Sequence, residues 1–301
     1  MDEHKILWVP FLSSTFRIGL ALFLQNPFYK IVSEIITSIS NPSVKELVKL
    51  RESARRRRER GCFFVEGIED LLTMMAAGKE VSEIYYNASL AIHSGSMKDI
   101  ERWKESENFQ LQELGEDAFL KVAYRRNPDG VVGIVQSWDL GLSNLKCEEL
   151  NQPILLLDEI EKPGNLGAIL RTSEALGAGS VILSEPRVDF FNPNVVRSSR
   201  GLLANVNLAV GEKGEILEYL EKFGLEFVAT SAKADQCSHE FQYQANTVLV
   251  FGSESEGLGE FWKGKIKQWI RLKMLGSASS LNLNVSVGCV LNDYNRINQK
   301  L

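Results

Sequence analysis

In the second half of the chain, short apolar runs alternate with stretches of helical character. Residues 154–157 are a continuous apolar run, the pattern of a parallel strand covered on both faces. Residues 180–183, 225–229, 247–251 and 269–272 read as further strands. Residues 165–176 and 285–294 read as helices, the first followed by Gly177 and Gly179. Such alternation predicts a parallel sheet. The first half alternates over shorter stretches. Residues 43–60 have helical character, with Asn41 or Ser43 available as N-cap and Gly61 suited to a left-handed C-cap. Residues 62–65 read as a buried strand, 68–77 as a helix closed by Gly78, and 83–86 and 133–135 as strands. The organisation expected is an extension over 1–38, a small α/β domain over 39–136, a polar linker over 137–152 and a larger α/β domain over 153–301.

A chain of 301 residues suits about two domains. Its net charge of −5 argues against a uniformly basic coat for nucleic acid but leaves room for a local basic patch. Cys62, Cys147, Cys237 and Cys289 are scattered, with no C-x-x-C pair. Neither a zinc site nor a disulfide framework is expected, and a reducing, cytoplasmic setting fits. The histidines are His4, His93 and His239, which offer no evident triad or metal cluster. Residues 6–24 are almost all apolar, interrupted by Pro10 and Arg17. Three readings stay open for this segment: a membrane or signal segment, an organellar transit peptide, or an extension outside the folded protein. Asp2, Glu3 and Arg17 weigh against the first, and the scarcity of arginine weighs against the second.

Three segments carry candidate chemistry. Residues 157–172 run from a strand through a glycine-containing loop into a helix. Loops after the carboxyl ends of parallel strands line the crevice where ligands bind in open α/β sheets. Asn165 and Arg171 are the candidates here, although an N-cap and a surface arginine would look the same. Residues 250–258 set Gly252 and Gly257 around Glu254 and Glu256, directly after a strand. Glycine lets a ligand approach the backbone closely, and a tight turn with solvated acids fits equally. Residues 274–288 are rich in small hydroxyl and amide side chains. They offer hydrogen-bonding groups to a polar ligand, or else simply cap a helix.

Together and in this order, the three segments resemble the signature motifs of the SpoU-type (TrmH-like) RNA methyltransferases of the SPOUT superfamily. The family pattern reads N-x-G-x-x-x-R-T, then G-x-E-x-x-G-L, then a glycine loop running into S-L-N-V-S-V. Asn165, Gly167, Arg171 and Thr172 match the first; Gly252, Glu254, Gly257 and Leu258 match the second. Gly276, Ser280, Leu281 and Asn282 match the start of the third. Phe191-Asn192-Pro193 with Arg197, Ser199 and Gly201 resembles the family's intervening segment. Leu283 and Asn284 interrupt the third motif, so either Asn282 or Asn284 stands at the family's asparagine, and Gly288 replaces a usual alanine. The usual proline near the end of the last strand is also missing from Arg271-Leu272-Lys273. Residues 41–50 and 60–67 resemble the small N-terminal RNA-binding domain of many such enzymes. Arg55, Arg56, Arg57 and Arg58 between them read as RNA contacts or as a solvated helix end.

The resemblance implies a parallel α/β sheet with a C-terminal trefoil knot, a homodimer, S-adenosylmethionine as cofactor, and methylation of a ribose 2′-hydroxyl in structured RNA. Ribosomal RNA is the first substrate class and transfer RNA the second; no membrane partner and no metal are implied. Arg171 would be catalytic, either as base or as holder of the RNA phosphate and of developing charge. Asn165 would position Arg171 or the RNA, and Glu254 would orient one of the two. Gly252, Leu272, Ser280, Leu281 and Asn282 would hold the cofactor, and Arg197 with the arginine run would meet RNA. Rival readings are methylation of a base nitrogen and a catalytically silent RNA-binding relative. Asn165 with Arg171 favours ribose, and intact Arg171, Asn165 and Glu254 favour an active enzyme. An organellar location follows if residues 1–38 are a transit peptide.

Overall fold

The computed structural model describes residues 34–105, 110–145 and 152–298. The apolar segment 6–24 lies outside them, so its three readings are not addressed by the structure. Among the described residues, no helix is long and apolar enough to cross a membrane. Two sheets organise the chain. The first has four strands, β1 (Cys62–Glu66), β2 (Val81–Tyr86), β3 (Gln110–Glu113) and β4 (Val131–Gln136), in the order β1-β4-β2-β3. β4 is antiparallel to both neighbours, whereas β2 and β3 run parallel. Ile36 adds a parallel bridge to Leu114 just beyond β3.

The helical stretch before β1 is two helices, Pro42–Glu52 and Ala54–Arg60. The break falls at Ser53, whose backbone is extended and whose hydroxyl accepts the Arg56 N–H at 3.2 Å. Serine hydroxyls compete for backbone groups in this way and favour caps over helix interiors. Asn41 is the N-cap of the first helix, and Gly61 ends the second in the left-handed conformation. Arg57 seals the break: its Nη1 donates to the Leu50 and Arg51 carbonyls at 2.6 and 3.0 Å.

The second sheet is parallel throughout. Its strands are β5 (Ile154–Asp158), β6 (Ser180–Ser184), β7 (Leu208–Gly211), β8 (Glu226–Thr230), β9 (Gln236–Cys237), β10 (Thr247–Phe251) and β11 (Gln268–Arg271). The order is β7-β6-β5-β10-β8-β11-β9. From β5 the chain steps outward through β6 to β7, then fills the other side, so the direction of winding reverses between β5 and β10. A crevice opens at such a switch point, outside the carboxyl ends of the two strands. β5, β6 and β10 are buried along their whole length, as their apolar runs require. The final helix, Leu283–Ile297, extends past both ends of the expected 285–294.

The two sheets share one apolar core. Phe63 of β1 stacks on Phe191 at 4.7 Å between ring centres, and Trp138 packs edge-on against Phe190 and Phe191 at 5.9 and 5.0 Å. Aromatic pairs of this kind add about 0.5–1.5 kcal/mol each beyond the area they bury. The stretch after β4 is therefore packed, not a free tether. Trp138 and Leu140 lie against the shared core, and the Leu140 carbonyl accepts the Val210 N–H at 2.7 Å.

Candidate active site

Three loops converge at the switch point, and Asn165 lies between them. Helix Pro163–Ala175 starts directly after the β5 loop, with Pro163 in its first turn and Lys162 as N-cap. Asn165 is thus inside the helix and not its cap, which frees its side chain for distant partners. Its Nδ2 donates to Glu254 Oε1 at 2.8 Å, in the loop after β10. Its Oδ1 accepts from Asn282 Nδ2 at 3.1 Å, in the loop after β11. The second oxygen of Glu254 accepts the backbone N–H of Glu161 at 3.2 Å, so one carboxylate ties the β5 and β10 loops together.

Asn282 and Asn284 divide the work at the third motif. Asn282 is the N-cap of the last helix, accepting the Asn284 N–H at 3.0 Å while it faces Asn165. Asn284 instead accepts from the Thr172 hydroxyl at 2.8 Å, locking the last helix to the helix that carries Arg171. Gly288 also faces Thr172: a Cβ there would lie 3.5 Å from Thr172 Cγ2, an ordinary contact. Alanine would fit, so glycine is not demanded at this site.

Gly252 has a structural reason of its own. A Cβ on it would lie 2.0 Å from the Gly257 carbonyl carbon, because the loop folds back on itself. Ser253 and Gly257 exchange both backbone hydrogen bonds, at 3.0 and 3.1 Å. The close approach that this glycine permits is to its own loop. Leu272 is half-buried, whereas Ser280 and Leu281 are exposed on an open turn. Residues 273–281 make no backbone–backbone hydrogen bond with any described residue.

Arg171 is exposed and makes no hydrogen bond or ion pair among the described residues. It lies six positions beyond Asn165, about 9 Å along the helix axis. Glu254 therefore orients Asn165 and not Arg171 within one chain.

The arginine run divides in two. Arg57 cannot meet RNA, contrary to expectation: its side chain is 3 % exposed and pairs with Asp189 at 2.6 Å. Arg56 is engaged by Glu46 through two bonds of 2.8 and 2.9 Å, which holds the Glu46 carboxyl below its usual range. Arg55 is exposed and touches only its helical neighbour Glu59 among the described residues, and Arg58 is exposed. Arg197 is exposed, with its guanidinium 5.8 Å from the Tyr124 ring centre.

A second polar cluster, outside the three motif contacts, lies at the ends of β5 and β6. Lys213 lies 3.7 Å from Asp158 and 3.2 Å from Glu185, and it bonds Glu159, holding that carboxyl below its usual range. Arg187 and the Ser255 hydroxyl both donate to Glu161, at 3.1 and 2.7 Å. Its sequence signal is the acidic run after β5, Asp158-Glu159 with Glu161. Among the described residues, no group of three or more His, Cys, Asp or Glu side chains could hold a metal ion.

Comparison with known proteins agrees with this geometry. Residues 152–292 match the model of the SpoU rRNA Methylase family, and residues 41–133 match an MRM3-like substrate binding domain. An uncharacterized tRNA/rRNA methyltransferase of Synechocystis is 30% identical over 273 residues, covering 89% of this chain and 96% of the relative. A 23S rRNA (uridine(2479)-2'-O)-methyltransferase of Streptomyces viridochromogenes is 26% identical over 87% of this chain and 91% of its own. Among solved structures, an AdoMet-bound rRNA methyltransferase from Sinorhizobium meliloti superposes with a TM-score of 0.77. It is 26% identical, over 87% of this chain and 97% of that one. A relative aligned over nearly its whole length, whose family motifs here meet at Asn165, places the assignment beyond the fold alone: this chain belongs to the SpoU (TrmH-like) family of RNA methyltransferases.

Proposed function

We propose that the chain methylates a ribose 2′-hydroxyl of structured RNA with S-adenosylmethionine as donor, ribosomal RNA being the first substrate class and transfer RNA the second. The observation that carries this reading is Asn165 held between Glu254 and Asn282 at the switch point. The turn 273–281 fits the cofactor, because its backbone amides and carbonyls have no partner among the described backbone groups. Leu272, Ser280, Leu281 and the loop closed by Gly252 would hold it there. When bound, it would supply an activated methyl to the ribose oxygen and leave as a neutral thioether, the hydroxyl proton being released to solvent.

The residues of the chain do the rest. A guanidinium offers five donors in a rigid fork and no acceptor, so Arg171 acts as an anion holder and not as a base. It binds an RNA phosphate and offsets charge developing on the ribose oxygen. Asn165 orients the reacting ribose, and Glu254 fixes Asn165. Residues 39–136 form the RNA-binding domain, with Arg55 and Arg58 among its exposed cations, and residues 153–301, which carry the exposed Arg197, form the methyltransferase domain, joined through 137–152.

The functional unit is a homodimer. Within one chain Arg171 stands apart from the Asn165 cluster, and beside the cluster Leu281 and Val285 are 40% and 47% exposed. A second copy covering that face would complete the site. The three described cysteines are free, which supports a reducing, cytoplasmic setting. The test is methyl transfer from labelled S-adenosylmethionine to total RNA, with nucleosides resolved by mass spectrometry. A 2′-O-methylnucleoside made by the wild type and lost in Arg171→Ala is expected; a methylated base, or no transfer, sinks the reading.

A further inference from the structure

The cleft between the two sheets displays an aromatic side chain that methyl transfer itself does not require. Tyr124 is 43% exposed, and its hydroxyl has no partner among the described residues. The backbone around it is clamped from two sides. Arg51 Nη1 donates to the Lys121, Val122 and Ala123 carbonyls at 3.1, 2.8 and 2.6 Å, closing the helix Glu116–Val122. Glu66, buried at the end of β1, accepts the N–H groups of Tyr124 and Arg125 at 2.7 and 3.0 Å. Arg125 in turn pairs with buried Asp70 at 2.6 Å.

Buried carboxylates are costly to hold unless they are well partnered. Here two of them fix one short segment, and that segment presents a ring to open space. The cleft beside it has a volume of about 520 Å³ and is lined by Arg51, Tyr124, Pro163, Asn192, Pro193 and Asn194. That is the size range of small-molecule pockets. Glu52 also lines it, with its charge met by Arg51 at 2.7 Å. Helix Pro193–Ser199, which supplies Pro193 and Asn194 to that lining, also carries Arg197, whose guanidinium stands over the Tyr124 ring at the edge of the cleft. Pro163 lies in the same helical turn as Asn165, so the cleft adjoins the candidate active site.

Unpaired RNA bases stack on aromatic faces and on guanidinium planes, and every base offers a face to stack. We propose that Tyr124, backed by Arg197, forms a stacking platform at the edge of this cleft for an unpaired RNA base next to the methylated nucleotide. The assignment rests on RNA being the substrate. Arg51 and Glu66 are positioning residues that hold the platform, and Asn194 Nδ2, which has no partner among the described residues, supplies a donor to the base edge or ribose.

The probe is a short single-stranded RNA carrying one 2-aminopurine, whose fluorescence falls when the base stacks. The wild-type chain binds it and quenches it, and Tyr124→Phe does the same. Tyr124→Ala weakens binding by about 10- to 100-fold and loses the quench, with an unchanged melting temperature. Arg197→Ala, on helix Pro193–Ser199, loses part of both. Wild-type binding and quenching by Tyr124→Ala, or a wild type that neither binds nor quenches, overturns the proposal. Methylation of total RNA measured in parallel keeps the two readings apart. A Tyr124-dependent quench without methyl transfer removes only the enzymatic reading. Full methylation by Tyr124→Ala with the quench intact removes only the platform.

Discussion

The amide of Asn165 donates to the carboxylate of Glu254 across 2.8 Å, joining two positions 89 residues apart in the chain. The Asn165 oxygen accepts from Asn282, so the loops after β5, β10 and β11 share one hydrogen-bonded junction. Removing Glu254 frees both the Asn165 amide and the Glu161 N–H. Glu254→Ala is expected to slow methyl transfer by about 10- to 100-fold, the cost of misplacing a reacting group by about 1 Å. Glu254→Gln keeps one acceptor oxygen but turns an NH2 towards the other donor, so it recovers only part of the rate. Steady-state kinetics with wild-type cofactor affinity are the check, and an unchanged rate in Glu254→Ala refutes the positioning role.

Arg171 separates chemistry from stability. It is exposed and unpaired among the described residues, so Arg171→Ala leaves the melting temperature within about 1 °C of wild type. Its kcat falls by about 100- to 1000-fold, the usual loss when a donor to developing charge is removed. Arg171→Lys does not restore the rate, because an ammonium lacks the planar fork that grips phosphate. A variant as active as wild type would dismiss the charge-holding role.

Arg57 tests the opposite case. Its guanidinium joins Asp189 and two helix-end carbonyls while buried. Arg57→Ala strands the Asp189 carboxylate and is expected to cost about 3–5 kcal/mol of stability. Arg55→Ala and Arg58→Ala lie on the surface and change stability by less than about 0.5 kcal/mol. Urea unfolding of the three variants decides the matter; equal midpoints would contradict the buried pair.

Two glycines on packed helices are predicted to respond in opposite senses to the same substitution. At Gly167 a Cβ would meet the Val195 carbonyl oxygen at 2.4 Å, where helices Pro163–Ala175 and Pro193–Ser199 touch. Gly167→Ala must push these helices apart and costs about 1–3 kcal/mol. At Gly288 the added methyl finds an ordinary contact, so Gly288→Ala gains about 0.5–1 kcal/mol from helix propensity. Thermal unfolding of the pair gives both signs at once.

Asp70 sets a pH dependence. Burial pushes its carboxyl up from 3.8 to about 6, with Arg125 offsetting part of the rise. Between those values the folded chain binds the proton more tightly than the unfolded chain. Stability is therefore highest below about pH 4 for this group and falls as pH rises towards 6. Burial raises Glu66 too, in the same sense. Relative to Asp70→Asn, the wild type should lose at most about 3 kcal/mol across that window. Denaturation midpoints at several pH values test this; a constant gap between the two proteins would exclude the shift.

Local sequence determined the elements and the kind of site. The apolar runs of β5, β6 and β10 are legible because a strand buried on both faces needs them over consecutive residues. The helix Met97–Glu105 leaves a weaker signal in the sequence, because it buries only Ile100 and Trp103. Asn165, Glu254 and Asn282 could be named from the three motifs, but which of Asn165 and Arg171 Glu254 would take, and that Asn282 would join them, could not. Nor could the sequence decide between Asn282 and Asn284: both are asparagines at a helix start, and only the folded chain turns one to Asn165 and the other to Thr172. Arg57 looks like its neighbours in sequence, and it is Asp189, 132 residues away, that makes it structural. Tyr124 became a candidate only once Arg51, Glu66 and Arg197 converged on it from three other elements. Periodicity is a property of adjacent residues, whereas the fate of a charge or a ring depends on which distant group the fold brings within about 3–6 Å of it.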